Sequence, residues 1–427
     1  MRVERNRKPE GSGRVPCIAR YPPLPVGKTV YHAKPKMAFK GSFRVTPLQA
    51  ERWVQFPNTI DNHPHFLQVF PYFILDIEQS FLSLHIHFIY GFISWLMQRI
   101  LHLFLLASLC TSLTAQIADA PLFRDPVTDG AADPCIIYNR QENSWWMLYT
   151  QRRANCEAPD VAYCYATQIG VACSEDHGRS WYYRGTLDLN FEPGTHTFWA
   201  PDVVYADSVY HLFVVFIRGA RIHWGGKATL MHYTSPDLWH WTLQGPLSLP
   251  QENVIDPTLL RMPDGTWRMW YKYKSRSYCA DSPDLYTWTG NSEAAVTDSS
   301  QEGAKAFRFK GRYWLIADEW QGMAVYSSDD ATHWQRQQDR ILTTASSRPD
   351  DGPSGAHGDV VVTGDEAYIF YFTHPERTKH TDTTMDSRGI IPFGQRRSSI
   401  QVARLNVDGD QLIVEDRNQG VAINLQP

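Results

Sequence analysis

The chain carries no excess of basic charge. Its 41 Lys and Arg stand against 45 Asp and Glu, a net charge of −4, so the clustered cations of a nucleic-acid binder are missing. No glycine-rich loop follows a strand-like run, which removes the cradle that nucleotide phosphates need. Long helical periodicities are scarce after Pro134, and the fold has to be sought among all-β architectures. Cysteine is sparse, seven in 427 residues, with no zinc-type spacing and no histidine pair beside it. Cys17 and Cys110 fall in the first 115 residues, leaving Cys135, Cys156, Cys164, Cys173 and Cys279. Cys156 and Cys164 bracket a polar loop and read as a disulfide or as buried thiols.

Aromatic residues are plentiful, 13% of the chain, and four tryptophans recur behind the same turn. Ser174-Glu175-Asp176 leads to Trp181, Ser235-Pro236-Asp237 to Trp241, Ser282-Pro283-Asp284 to Trp288, and Ser328-Asp329-Asp330 to Trp334. Ser and Asp side chains bond their own backbone and hold a tight turn, while the indole fills space between sheets. Self-similarity at roughly 50 residues marks a repeat architecture. The unit is a four-stranded antiparallel sheet with a Ser-x-Asp hairpin before its last strand, and radial stacking of such units gives a β-propeller. Five units fit the length, beginning near Asp133, Asp202, Asp256, Glu302 and His357. Gly265, Gly311 and Gly364 mark hairpins between first and second strands. Thr378 to Arg397 reads as a long polar surface insertion in the fifth unit.

The first hundred residues have a different character. Met1 to about Glu78 is basic and aperiodic, and residues 81–115 turn strongly apolar. Met97-Gln98-Arg99 followed by an apolar run to Leu109 resembles the start of a secretory leader, with Thr114-Ala115 as its cleavage site before Gln116. A membrane anchor over about Phe81 to Leu109 is the alternative, weakened by the histidines and Arg99 inside it. The expected organisation is a non-globular upstream extension over 1–96, a signal peptide over 97–115 and a propeller over 116–427, placed in the periplasm or secreted.

Propeller geometry turns equivalent positions of successive blades into neighbours around one channel. Asp133, Asp202, Asp256, Glu302 and His357 all stand at the starts of units. Each acid alone reads as a turn or strand-cap residue; together they read as a pocket of facing carboxylates. Such a pocket suits glycosidic cleavage, where one carboxyl protonates the leaving oxygen and another activates water or attacks the sugar. Trp199 and Trp320 are candidates to stack on a sugar ring. His196, Arg221 and His223 on second-unit loops, and Arg348 with Asp350 and Asp351 before the fifth unit, are further candidates for the mouth. Asp318 and Glu319, one strand after Glu302, read as a strand end or as a competing acid.

The series Ala132-Asp133-Pro134, Trp199-Ala200-Pro201-Asp202, Ile255-Asp256-Pro257 and Glu302-Gly303 resembles glycoside hydrolase family 43 and its five-bladed relatives, including family 117. The resemblance spans about Asp125 to Phe372. It implies an inverting hydrolase with Asp133 as general base, Asp202 as the residue that tunes and orients the acid, and Glu302 as general acid. It also implies that His357 is the central histidine, able to bind a water or metal. Asp256, Trp199, Trp320 and His357 are expected to touch substrate. No cofactor is required, with a structural calcium near His357 left open. Gly303-Ala304-Lys305 departs from the family's usual Gly-Pro, and the helical N-terminal domain of family 117 is not evident.

The expected partner is a carbohydrate, with no nucleic-acid or stable membrane partner. Arabinofuranosidase, xylosidase, galactosidase and anhydro-galactosidase activities on plant or algal glycans all fit. A glycoside phosphorylase, given Lys305 beside Glu302, and a non-catalytic sugar-binding propeller are the alternatives. A sialidase lacks its arginines here, and a fructosidase-like enzyme lacks its Asn-Asp-Pro-Asn-Gly nucleophile motif.

Overall fold

The computed structural model of the protein describes residues 92–100 and 116–427. The chain divides into two units: the described part of one is 116–427, and that of the other is a helical run over 92–100. The rest of the expected upstream extension, 1–91, and of the expected signal peptide, 101–115, falls outside the described residues. Among the described residues no helix is long and apolar enough to cross a membrane.

Residues 131–414 form five antiparallel sheets of four strands each, taken up in chain order: a five-bladed β-propeller. Blade 1 consists of Ala131–Asn139, Ser144–Gln151, Gln168–Ser174 and Tyr182–Thr186. Blade 2 is Thr197–Ala206, Val209–Ile217, Ala228–Ser235 and Thr242–Pro246. Blade 3 is Ile255–Arg261, Trp267–Tyr273, Arg276–Ser282 and Thr289–Gly290. Blade 4 is Glu302–Phe309, Arg312–Asp318, Met323–Ser328 and Gln335–Arg336. Blade 5 is Ala356–Thr363, Glu366–Thr373, Ser399–Asp408 and Gln411–Val414. The inner strands touch one another in sequence, and that of blade 5 touches that of blade 1. A short pair, Gln116–Ile117 with Ala422–Ile423, ties the two ends of the ring together.

The repeated turn works as its residues dictate. In each Ser-x-Asp hairpin the serine hydroxyl donates to the aspartate two residues on, at 2.8–3.2 Å. The indoles of Trp181, Trp241 and Trp288 donate to the carbonyl three residues back, which fixes each ring just ahead of the fourth strand. From there the rings pack into the apolar layers between blades, Trp241 against the cluster that includes Trp146 and Leu212, and Trp288 edge-on to Phe213. Second strands such as Ser144–Gln151 are buried along their whole length, because both faces meet a neighbouring blade. Their sequences are correspondingly apolar and aromatic.

Candidate active site

Every inner strand breaks register with its neighbour at the same place. The slips fall between Ala132 and Cys135, Trp199 and Asp202, Ile255 and Thr258, Glu302 and Lys305, and Ala356 and Asp359. A bulge bends the strand and re-aims the side chain at its crest. The crest residues are Asp133, Ala200, Asp256, Gly303 and His357, all with positive φ. Gly303 is needed where it stands: a Cβ there would lie 2.5 Å from Cγ of His357.

The bulges correct the expectation that the five unit starts are equivalent. Asp133, Asp256 and His357 share the crest. Glu302 precedes its crest residue by one, alongside Ala132 and Trp199. Asp202 lies two residues past its own, level with Cys135, Thr258, Lys305 and Asp359.

Above this ring lies a cavity of about 640 Å³. Asp133, Asp256, Glu302 and His357 line it, together with Trp199 and Trp320. Asp202 does not line it. Its carboxylate sits in the layer beneath, where the Lys305 ammonium bridges Asp202 Oδ1 at 3.0 Å and Asp359 Oδ1 at 2.7 Å. The remaining oxygens accept backbone N–H groups of adjacent blades, Leu259 to Asp202 at 2.7 Å and Ile136 to Asp359 at 2.6 Å. Burial disfavours a charged lysine, but the two carboxylates outweigh it and hold Lys305 protonated. This triad is a blade-to-blade lock, and it also withdraws Lys305 from any role as a phosphate ligand.

The cavity carboxyls stand in three different environments. Burial would raise Asp133, yet the Arg152 guanidinium at 3.2 Å and the His357 imidazole at 3.4 Å hold it well below the usual carboxylate range. His357 loses charge stability to burial but gains more from Asp133, Asp256 and Glu302, and its pKa is pushed up to about 9. Burial likewise works against an ionised Glu302. Lys272 Nζ at 2.6 Å and the Trp320 indole at 2.8 Å prevail and lower its pKa. Asp256 goes the other way: burial, with Glu302 and Asp133 nearby, raises it despite His357 and Lys272. Its Oδ2 accepts the Gly303 N–H at 3.2 Å. The site thus holds one carboxylate kept ionised by an arginine and a histidine, one paired with a lysine, and one whose pKa burial raises.

Asp318 is buried outside the cavity lining, accepting the backbone N–H of Trp320 and of His357. Glu319 is tied up by Arg336 and Arg340. His196, Arg221, His223, Arg348, Asp350 and Asp351 do not line the cavity. His223 pairs with Asp160, Arg348 donates to the carbonyls of Val402 and Asp119, and Asp350 and Asp351 pair with Arg397 and Arg417. Cys156 and Cys164 are buried and no disulfide joins them, and Cys164 lines the cavity.

Several lining residues escaped the sequence reading. Arg152 and Lys272 come from the ends of second strands, and Lys272 lies opposite Ile255 at the start of the blade 3 bulge. Trp199 joins an aromatic wall with Tyr165 and Trp224, and its indole donates to the Cys164 carbonyl at 2.6 Å. The blade 5 insertion is not merely surface: His380, Thr381, Thr383 and Ile391 from it line the cavity. The signal that finds Arg152 and Lys272 is positional, since the second strand of each blade ends facing the bulge.

No protein-family model matches the chain, and no curated protein matches it. Solved structures do. A thermostable family-43 glycoside hydrolase superposes with a TM-score of 0.52 at 17% identity, over 71% of this chain and 99% of that one. A family-43 β-xylosidase/α-arabinofuranosidase from a compost microbial metagenome, in complex with xylotriose, gives 0.50 at 13% identity, over 71% and 97%. The fold is shared with family-43 glycoside hydrolases. The five-bladed expectation holds in blade number, strand number and order.

Proposed function

We propose that the protein is a glycoside hydrolase that cleaves a glycosidic bond with inversion. The observation that carries this reading is the meeting of Asp133, Asp256 and Glu302 in one cavity with pKa values driven in opposite directions, since carboxyls pushed apart in this way are how acid and base roles are divided. The fold shared with family-43 enzymes supports it. Asp133, ionised by Arg152 and His357, is the general base that takes a proton from the attacking water. Glu302 is the general acid at the leaving oxygen. Asp256, rather than Asp202, adjusts that acid, because it lines the cavity and feels the Glu302 charge. For Glu302 to donate, its contact with Lys272 has to open as the leaving oxygen enters, freeing the carboxyl to hold a proton. Inversion further requires roughly 6.5–9.5 Å between base and acid, room for one water.

The raised Asp256 favours a second reading in which Asp256 itself donates the proton. Aryl glycosides with graded leaving groups separate the two. Glu302→Gln is expected to slow poor leaving groups far more than good ones, while Asp133→Asn slows both by about 10²–10⁴-fold. If Asp256→Asn shows the leaving-group dependence instead, the acid is Asp256. Release of a first product with retained configuration rules out the inverting scheme.

Candidate substrates are arabinofuranosides, xylosides, galactosides or anhydro-galactosides of plant or algal glycans. No metal is needed in this scheme, because the His357 imidazolium already supplies the positive charge between Asp133 and Asp256. Turnover unaffected by a chelator is the expected outcome, and activity lost to chelation and restored by calcium is the opposite one. Secretion or periplasmic export rests on the leader read over 97–115. It is tested by an exported N-terminus at Gln116.

A further inference from the structure

One wall of the cavity carries more positive charge than the mechanism uses. Arg377, in the blade 5 insertion, donates from Nε to the Gln395 carbonyl at 2.7 Å, from Nη1 to the His380 carbonyl at 2.6 Å and from Nη2 to the Tyr163 hydroxyl at 2.9 Å. A guanidinium has five N–H donors, so two are not spent on these bonds. Among the described residues no carboxylate pairs with Arg377, and its neighbours in charge are Tyr163, Cys164 and a second guanidinium, Arg152. Arg152 is answered by Asp133. Arg377 is answered by nothing.

Two histidines flank the guanidinium pair. His374 donates from Nδ1 to the Arg397 carbonyl at 2.8 Å and receives Arg152 Nη1 at 3.5 Å. His380 is 7% exposed and packs against His374, and its Nδ1 has no hydrogen-bond partner among the described residues. Burial and then the cations Arg377 and Arg152 keep both rings neutral. All four side chains line the cavity. A partly buried, unpaired cation is costly unless something completes it.

We propose that Arg377, with Arg152, His374 and His380, forms an oxyanion site that receives the carboxylate of a uronic acid unit in the glycan. This rests on the glycosidase reading for its catalytic consequence, though not for the binding itself. A carboxylate offers two coplanar oxygens matching the guanidinium fork, and its single charge is repelled less by Asp133 and Glu302 than a phosphate dianion would be. The neutral His380 imidazole can donate to, or accept from, the hydroxyls beside it, while His374 holds Arg152 in place.

The test titrates the unmodified full chain with glucuronate, galacturonate, their methyl esters, glucose, galactose and inorganic phosphate, following binding by calorimetry. A panel of neutral and uronic aryl glycosides is assayed for cleavage in parallel. At least one uronate is expected to bind ten-fold or more tightly than its neutral counterpart, and esterification is expected to abolish that gain. Arg377→Met should abolish it as well, and Arg377→Lys should keep part of it. Should Arg377→Met loosen the insertion, the acid–ester comparison on the unmodified chain still decides. Equal binding of acids and neutral sugars overturns the inference, as does phosphate binding with no preference for uronates. Cleavage of neutral glycosides without any uronate preference overturns it while leaving the glycosidase reading intact. Uronate binding with no cleavage of any glycoside does the reverse.

Discussion

Two rings of charged residues encircle the same channel, separated by two positions along the inner strands. The upper one, with Asp133, Asp256, Glu302 and His357, faces a cavity, and its charges differ in how completely they are matched. The lower one, with Asp202, Lys305 and Asp359, is sealed: the carboxylates share one ammonium and accept N–H groups from neighbouring blades. Both rings set aspartates against a cationic side chain, His357 above and Lys305 below. What separates architecture from chemistry is which side of the bulge a carboxylate occupies.

Breaking the lower ring is expected to have the largest effect on stability. Lys305→Met leaves two buried carboxylates without their cation and should cost about 3–5 kcal/mol, read from denaturant unfolding. If the lower ring is purely architectural, whatever protein remains folded keeps its substrate preference.

The upper ring should instead show itself through pH. The His357 pKa is raised in the folded state to about 9, above the ordinary 6.5 or so of the unfolded chain. Its contribution is therefore fully present below about pH 6.5 and is lost as pH rises through about 9, a change of about 3 kcal/mol by linkage. The unfolding free energy measured across that window should fall with rising pH in the natural protein and stay flatter in His357→Gln.

The smallest expected effect sharpens the contrast most. Lys272 holds the Glu302 pKa down, so Lys272→Met should raise it and move the alkaline limb of the kcat/KM profile to higher pH. Removing Lys305 should leave that limb where it is. A limb that shifts for Lys305→Met and not for Lys272→Met would mean the two rings are wrongly distinguished.

Much of the fold was legible because its signals are local. A Ser-x-Asp turn with a following Trp needs only a few residues to form, and four copies in register announce blades. Asp133, Asp256, Glu302 and His357 were legible as residues at blade starts. The level of Asp202 was misjudged because the acids were aligned and not the prolines: Pro134, Pro201 and Pro257 each follow a crest residue, so Ala200, and not Asp202, matches Asp133 and Asp256. Arg152 and Lys272 were missed because they stand at the far ends of second strands, where a basic residue resembles any exposed strand end. Arg377 and His380 sit in an insertion whose polar composition suggested a surface loop. Its contacts with Tyr163, Phe372 and His374 turn it inward.

The pairing of Gln116–Ile117 with Ala422–Ile423 has a consequence for topology. It brings the two chain ends of the propeller side by side, so a short linker can join them while the ring is opened at another hairpin, such as the exposed turn at Asp264-Gly265. A circular permutant of that kind keeps every inner strand and both charged rings. What it changes is blade 3, whose four strands are consecutive in the natural chain and become divided between the two ends of the permuted one. The ring is held shut by strand pairing and blade packing, and the order in which the blades are synthesised is free to vary.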